Sequence, residues 1–138
     1  GISDPGFLLV RSCIENDLQV ECLPGATSII PALVVSGLPT DQFVFQGFLP
    51  HKKGRKTILD NLADENRTIV FLESPHRINR TIRQLKEAWG GDRKAAICRE
   101  ISKKFEEIVR GSLEELHQKF DEKKWKGEIV LVVAGKKS

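Results

Sequence analysis

Three ionisable side chains directly follow an apolar stretch in the segment ESPHRI, residues 73–78. Glu73, His76 and Arg77 supply a carboxylate, an imidazole and a guanidinium within five positions. Such groups can transfer protons and hold anions, which are the tasks of general acid–base and electrostatic catalysis. Because an apolar strand gains nothing by ending in three ionisable groups, we expect at least one of them to have a functional role.

The same segment predicts a corner between a strand and a helix. With a strand over residues 68–73, Ser74 would be the N-cap residue and Pro75 the first residue of the helix. The amides of His76 and Arg77 would then be free to bind an anion. The alternative, that Ser74 and Pro75 only start a helix, stays open.

The segment LPGATS, residues 23–28, predicts a second corner of this kind. A tight turn at Pro24 and Gly25 would let the backbone approach a ligand closely. The hydroxyls of Thr27 and Ser28 would face outward, which suits a nucleotide-like ligand. These residues are also ordinary turn and cap residues, so the pattern alone leaves both interpretations open.

A third corner follows in CREISKKFEEIVRG, residues 98–111. Arg99 and Glu100 stand at the predicted end of a strand, and Lys103 and Lys104 come next. This pattern favours a basic binding corner and a solvated hairpin loop equally.

Basic residues are concentrated after residue 50. Residues 1–50 hold one basic and five acidic residues, a net charge of −4, whereas residues 51–138 hold 21 basic and 14 acidic residues, a net charge of +7. The later part is therefore the candidate for binding a polyanion, and we place a domain boundary at about residue 50, where HKKGRK begins. A merely solubilising surface stays open for Lys123, Lys124, Lys126, Lys136 and Lys137.

Apolar periodicity supplies the elements that would position these corners. It predicts helices over about 5–16, 27–36, 55–63, 75–89 and 113–120. Apolar and β-branched runs predict strands over about 18–23, 43–50, 68–73, 94–100, 106–113 and 127–135. The last strand is predicted to be central. Strands alternating with helices imply an α/β fold whose sheet is covered on both faces.

Composition and the absence of familiar motifs exclude several classes of function. The 138 residues are 40% hydrophobic and 30% charged, which is typical of a globular protein. No apolar window approaches the roughly 18 residues of a membrane span and no secretion signal begins the sequence, so we expect a cytoplasmic protein. The three cysteines lack C-x-x-C spacing, and we expect buried thiols rather than a zinc site or disulfides. Motifs of NTPases, dehydrogenases, serine hydrolases and metalloproteases do not occur.

The order of these motifs resembles the tetrapyrrole (corrin/porphyrin) methylase superfamily. The matching segments are GISDPG at 1–6, LPGATS at 23–28, GLPTDQFVFQGFLP at 37–50, ESPHRI at 73–78, REISKKFEE at 99–107 and GEIVLVVAG at 127–135. ESPHRI and GFLP are similar to the branch that methylates the 2′-hydroxyl of a cytidine in small-subunit ribosomal RNA. The resemblance therefore implies an RNA methyltransferase that depends on S-adenosylmethionine.

The resemblance also implies an architecture of two α/β domains with the cofactor in the cleft between them. Residues 1–50 would be the C-terminal part of the N-terminal cofactor-binding domain, and residues 51–138 a complete, smaller α/β domain with a mixed sheet. Family members carry a glycine-rich loop and a DAGTP-like motif before GISDPG, whereas this chain starts at Gly1 and contains no methionine. We therefore expect a fragment that is inactive alone, from a family whose members tend to be homodimers.

Residue roles follow from the resemblance and from the chemistry. The resemblance implies cofactor contacts at Gly25, Thr27, Ser28, Ser74, Ile101 and Ala134. The candidates for proton transfer are Glu73, His76 and Glu100. The candidates for contacts with RNA phosphates are Lys52, Lys53, Arg55, Arg77, Arg80, Lys103 and Lys104. Methyl transfer demands positioning and removal of a proton, so no metal is expected.

Two other functions stay open at the level of sequence. An enzyme of the same fold could methylate a porphyrin-like precursor instead of RNA. The chain could also be a basic RNA-binding module without catalytic activity. Labelled S-adenosylmethionine would distinguish the three functions by the substrate that takes up the label.

Overall fold

The computed structural model describes residues 1–137, with five helices and five strands in that range. The helices are α1 Phe7–Glu15, α2 Ile29–Ser36, α3 Arg55–Leu62, α4 Ile78–Trp89 and α5 Leu113–Phe120. The strands are β1 Phe43–Phe48, β2 Thr68–Glu73, β3 Lys94–Arg99, β4 Glu107–Ser112 and β5 Ile129–Val133. Most of the predicted elements are therefore present, with ends shifted by a few residues.

The strands form one mixed sheet in the order β1-β2-β5-β3-β4. β1 pairs with β2 in parallel, and the other neighbouring strands pair antiparallel. β5 lies in the middle, as its uninterrupted apolar sequence predicts, and all five of its residues are buried. The mixed α/β fold is confirmed.

Alternating side chains divide the core between the two faces of the sheet. Ile69, Phe71 and Leu131 point to the face that α3, α4 and α5 cover. Val70 and Val132 point to the opposite face, which α2 covers. Because both faces are covered, β2 and β5 read as continuous apolar runs rather than as alternating ones.

Local sequence signals account for the two best defined helices. Ile78, Ile82, Leu85 and Trp89 lie on one face of α4 and are buried, as their spacing predicts. Ser112 begins α5 with a capping box, in which its hydroxyl accepts from the amide of Glu115 and the Glu115 carboxylate accepts from the amide of Ser112.

The predicted domain boundary at about residue 50 lies between two strands of the same sheet. β1 precedes it and hydrogen bonds to β2, which follows it. α2 also precedes it and contributes buried Ala32 and Leu33 to the core on its face of the sheet. A division of the chain at residue 50 stays a prediction.

The first 28 residues contrast with the rest, because they contribute little to the core. α1 has no buried residue. The predicted strand over 18–23 is wrong: these residues are exposed and form no strand. A strand needs a hydrogen-bonding neighbour, and the described part of the chain offers none here.

The prediction of buried thiols holds for one cysteine. Cys98 is buried on the α2 face of the sheet, whereas Cys13 is partly exposed and Cys22 is exposed. All three are free thiols. No helix within residues 1–137 combines the length and apolar character that crossing a bilayer requires.

Candidate functional site

The ends of all five strands bring the predicted corners to one edge of the sheet. Phe48 pairs with Leu72 on β2, the next residue Glu73 pairs with Ile129, and Ile129 pairs in turn with Arg99. β1, β2 and β3 end at this edge, and β4 and β5 begin there. We call it the site edge. The turns that follow β2 and β3 therefore lie at the same edge, on either side of the start of β5, although Glu73 and Arg99 are 26 positions apart in the sequence.

A cavity of about 390 Å³ opens at the site edge between two of the predicted corners. Ser28 lines it from the start of α2, and Ser74 and Pro75 line it from the turn after β2. Its remaining wall is mostly apolar and comes from Phe48, Leu72, Glu73, Gly127, Glu128, Ile129 and Val130. Residues from two distant segments thus share one cavity, while their role as cofactor contacts stays a prediction.

Two residues predicted to contact the cofactor beside Ser28 do not line this cavity. Thr27 is exposed, and its hydroxyl accepts a hydrogen bond from the amide of Ile29 at 3.3 Å. Gly25 lies in the exposed loop before it. The Thr27 hydroxyl therefore serves the start of α2, as the ordinary interpretation of this turn predicts.

Glu73 is a buried anchor and not an accessible base. Its side chain is 1% exposed. Oε1 accepts from the amide of Ser74 at 2.7 Å, and Oε2 accepts from the Thr81 hydroxyl at 2.7 Å. Guanidinium groups of Arg55 and Arg77 lie 4.0 and 3.4 Å away. Glu73 lines the cavity, but because both of its oxygens are engaged and almost fully shielded from solvent, this geometry disfavours Glu73 as the proton acceptor.

Arg55 is the cationic partner in this network and is removed from the candidate RNA contacts. It is 3% exposed. Its Nη2 donates to the Thr81 hydroxyl and its Nε to Gln84 Oε1, both at 2.7 Å. Desolvation by burial lowers the pKa of Arg55, and Glu73 partly offsets that effect. Composition alone placed Arg55 with the exposed cations of HKKGRK, and only the fold reveals its buried partner Thr81.

The turn after β2 has no free amides of the predicted kind. α4 begins at Ile78 rather than at Pro75. The Ser74 hydroxyl accepts from the amide of His76 at 3.2 Å, and the Ser74 carbonyl accepts from the amides of Arg77 and Ile78 at 3.0 Å. The predicted anion site on these amides is therefore wrong, because Ser74 satisfies them. The His76 side chain is exposed beside the cavity residue Pro75.

Glu100, in the loop after β3, has a strained backbone, and neighbouring residues bind its carboxylate. Glu100 has a φ of 51°, in the left-handed region that non-glycine residues rarely adopt. Its carboxylate accepts from the amide of Glu128 at 2.7 Å and from Lys103 at 3.2 Å. These bonds, the first above all, lower the pKa of Glu100. A carboxylate with a lowered pKa is a weak base, so this geometry disfavours Glu100 as the proton acceptor.

Gly127 is the partner that this arrangement requires, and motif reasoning missed it. Its φ is +84°, and a Cβ there would clash with the Glu100 carboxylate. A glycine directly before an apolar strand is the sequence signal that could have indicated it. Lys103 also binds Glu128 at 2.8 Å, whereas Lys104 is exposed.

Ala134 and Ile101 do not join Ser28 and Ser74. β5 runs antiparallel to β2, so Ala134 follows its far end, about 16 Å from the site edge at roughly 3.3 Å per residue. It lines a separate cavity of about 270 Å³ beside Trp89. Ile101 packs partly buried against the core on the α2 face. Ala134 therefore lines a different cavity from Ser74, and its role as a cofactor contact stays a prediction.

A second depression, of about 520 Å³, lies between α3 and α4. We call it the α3–α4 groove; Lys52, Lys56 and Arg80 line it from outside and Arg55 from beneath. Lys52, Arg55 and Arg80 are predicted RNA contacts, and Lys56 belongs to the same basic cluster at residues 52–56. Lys53 is exposed nearby but does not line the groove. Within residues 1–137 no group of three or more His, Cys, Asp or Glu could hold a metal ion.

The sequence is similar to a family and to curated proteins across most of its length. The family described as Tetrapyrrole (Corrin/Porphyrin) Methylases matches residues 1–117. Ribosomal RNA small subunit methyltransferase I of Mycobacterium tuberculosis (strain CDC 1551 / Oshkosh) is 49% identical over 140 residues, covering 97% of this chain and 47% of that protein. The protein of the same name from Thermotoga maritima is 44% identical over 98% of this chain and 60% of its own length. The chain thus spans about half the length of the curated relatives it matches.

Solved structures share the fold at low sequence identity. A cobalt precorrin-4 methyltransferase of cobalamin biosynthesis superposes with a TM-score of 0.65 at 17% identity, covering 91% of this chain and 56% of that one. A uroporphyrin-III C-methyltransferase from Thermus thermophilus, solved with S-adenyl homocysteine, gives a TM-score of 0.57 at 21% identity over 89% of this chain and 56% of that one. At such identities the likeness establishes the fold alone.

Proposed function

Because this chain belongs to the tetrapyrrole (corrin/porphyrin) methylase family, we propose that it is part of a methyltransferase that uses S-adenosylmethionine. We further propose that the enzyme methylates the 2′-hydroxyl of a cytidine in small-subunit ribosomal RNA. The observation that carries this proposal is the cavity shared by Ser28 and Ser74 at the site edge. Relatives of 44–49% identity that are named small-subunit rRNA methyltransferases support the choice of RNA.

The cavity fits the proposed cofactor in size and in the character of its walls. A volume of about 390 Å³ lies within the range of roughly 300–1,000 Å³ that small-molecule sites occupy. Phe48, Leu72 and Ile129 offer apolar contacts to a ring, and the hydroxyls of Ser28 and Ser74 can hydrogen bond. When bound, the cofactor supplies an electrophilic methyl group.

His76 is the proposed acceptor of the hydroxyl proton. A ribose hydroxyl is a poor nucleophile, so its proton must pass to a base as the new bond forms. Glu73 is buried and fully engaged, and Glu100 is held by Glu128 and Lys103. Of the three candidates, His76 is exposed beside Pro75 on the cavity wall, and histidine is the side chain that most often serves as a general base.

A transfer assay on the full-length product of the reading frame tests the function. It measures label from S-adenosylmethionine in small ribosomal subunits and, separately, in tetrapyrrole precursors. We expect label in ribosomal RNA, at a ribose oxygen. Label found only in tetrapyrroles would show that the substrate is a tetrapyrrole and not RNA. RNA binding that does not depend on the cofactor, without any transfer of label, would indicate a binding role and not catalysis.

Two variants test the cavity and the base. Ser28→Phe should fill the cavity and weaken cofactor affinity by about tenfold or more, equivalent to at least ~1.4 kcal/mol, whereas Ser12→Phe on exposed α1 should not. His76→Ala should lower the transfer rate by about 10²–10⁴-fold and leave cofactor affinity unchanged, with His117→Gln as its control. Normal transfer by His76→Ala would reject the proposed base while leaving the methyltransferase assignment intact.

A further inference from the structure

We propose that the α3–α4 groove binds the sugar–phosphate backbone of the RNA next to the target nucleotide. This inference rests on the proposed function, and it assigns the RNA a binding site distinct from the cofactor cavity. The groove is the larger of the two depressions, about 520 Å³ against about 390 Å³. Its outer wall carries Lys52, Lys56 and Arg80.

Positive charge is in excess where the groove meets the site edge. Arg55 lies beneath the groove, and both Arg77 and Arg80 lie close enough to lower its pKa by repulsion. Two guanidinium groups, those of Arg55 and Arg77, thus lie within 4.0 Å of the buried Glu73 carboxylate, and Arg80 adds a third positive charge near Arg55. An anion bound in the groove would relieve this repulsion, and a phosphate is the anion that arginine recognises best in RNA.

The cations of the groove wall are available, in contrast to Lys103 after β3. Among the described residues, neither Lys52 nor Arg80 has a carboxylate within 4.0 Å, and both are exposed. Lys56 pairs with Asp60 at 2.9 Å, but the lysine side chain is 91% exposed. Such an exposed pair contributes only roughly 0.3–0.5 kcal/mol, so a phosphate can replace it. Lys103, by comparison, is shared between Glu100 and Glu128.

The groove has a direction, because α3 and α4 run side by side the same way. Arg55 bonds Thr81 and Gln84 near the start of both helices, and Leu59 accepts from Trp89 farther along. The cations lie toward the starts of the helices, and the acidic lining residues Asp60 and Glu87 lie beyond them. A polyanion is therefore attracted at the end near the site edge and repelled at the other end.

The charge of the two depressions separates their ligands. S-adenosylmethionine carries a sulfonium, an ammonium and one carboxylate and has no phosphate, so its net charge is positive and a cationic groove does not favour it. The cavity wall instead includes the exposed carboxylate of Glu128. The chain Arg55–Thr81–Glu73 links the floor of the groove to Ser74 on the cavity wall. RNA held in the groove would thus lie next to the cofactor cavity.

Charge reversal on α4 tests the inference with a matched control. Arg80 lines the groove, whereas Arg83, one turn later on the same helix and also exposed, does not. Binding of a short fluorescent RNA from the small-subunit ribosomal sequence to the 138-residue chain is measured across a series of salt concentrations. We expect Arg80→Glu to weaken binding by about tenfold and to reduce the salt slope by about 1, and Lys56→Glu to do the same, while Arg83→Glu changes both far less.

The outcomes separate this inference from the proposed function. Equal effects of Arg80→Glu and Arg83→Glu on RNA affinity would overturn the groove as the RNA-binding site. The absence of RNA binding by the unchanged chain would overturn it as well. Protection of the chain against heat by inorganic phosphate, lost in Arg80→Glu, together with unchanged RNA affinity, would assign the groove to free phosphate instead. Methyl transfer by the full-length protein reports on the function independently. Normal methyl transfer, together with RNA affinity that the groove variants do not change, would reject the inference alone. RNA binding through the groove without any methyl transfer would reject the proposed function.

Discussion

Residues 1–28 and the sheet with its covering helices, residues 29–137, use apolar residues in opposite ways. We call the second region the sheet domain. In residues 1–28, α1 leaves Phe7, Leu8 and Leu9 about 70% exposed, at 68%, 73% and 71%. In β5 every side chain is buried. Both segments are apolar in sequence, so the difference lies in whether a neighbour covers them and not in composition.

This contrast shows which part of the chain maintains its own structure. An isolated helix shorter than about 12 residues is marginal in water, and α1 has nine residues with none buried. The sheet, by contrast, is covered on both faces and fixes the site edge through strand register. We therefore expect stability measured on this chain to report on residues 29–137, and variants in the two regions can test that.

The largest effect is expected at the buried network behind the cavity. Glu73→Ala would leave Arg55 buried without its carboxylate, and removing one partner of such a pair costs about 3–5 kcal/mol. Chemical denaturation measures the free energy of unfolding, and Glu122→Ala, at an exposed position, serves as the control. The double variant Arg55→Met/Glu73→Leu should be more stable than Glu73→Ala, because it leaves no buried charge at position 55, whereas Arg77, the other partner of Glu73, is partly exposed. A loss below about 1 kcal/mol for Glu73→Ala would mean that Glu73 does not anchor the site edge.

The next largest effect is expected from a large-to-small substitution in the core of the sheet. Ile97 on β3 is fully buried beneath α4 and α5. Ile97→Ala should lower the free energy of unfolding by about 2–5 kcal/mol through lost burial and the cavity left behind. The same denaturation experiment measures it. A loss under 1 kcal/mol would indicate that this face of the sheet is loosely packed.

Sequence reasoning succeeded where one local pattern decides the structure. The spacing of Ile78, Ile82 and Leu85 marks α4, and the apolar run of β5 marks a central strand. It failed for residues 18–23, because β-propensity produces a strand only beside a partner. It also could not locate Ala134, because the direction of β5 relative to β2 decides which edge that residue occupies.

The site residues show the same limit in their chemistry. The sequence pattern indicates the ionisable residues at the end of β2, but residue type alone cannot separate a buried anchor from an exposed side chain. Glu73 is the first and His76 is exposed, although they stand three positions apart. The partner that distinguishes them, Thr81, lies on α4 and becomes visible only when the turn after β2 is folded.

A smaller effect is expected from the thiol in the sheet domain. Burial raises the pKa of Cys98 to about 11, from the ordinary 9.0. Between pH 9 and 11 the unfolded chain loses this proton while the folded chain keeps it, so stability should fall as pH rises through that window, on the order of 1 kcal/mol by pH 10. Denaturation at pH 8 and pH 10 measures the fall, and it should be smaller in Cys98→Ala. Equal falls in both proteins would contradict the burial of this thiol, whereas exposed Cys22 should react with thiol reagents without denaturant.

The smallest effect is expected in α1 and bears most directly on the contrast between the two regions. Ile14 is 63% exposed and Ile97 is fully buried, so the same substitution by alanine compares one side chain in two environments. Ile14→Ala removes almost no buried surface, and alanine favours a helix more than isoleucine does. The free energy of unfolding should therefore change by less than about 0.5 kcal/mol, within the range of ordinary surface substitutions. A loss comparable to that of Ile97→Ala would mean that α1 packs against a surface in solution, either on this chain or on a second copy. Sedimentation at two protein concentrations would then distinguish those two cases, because only contact with a second copy depends on concentration.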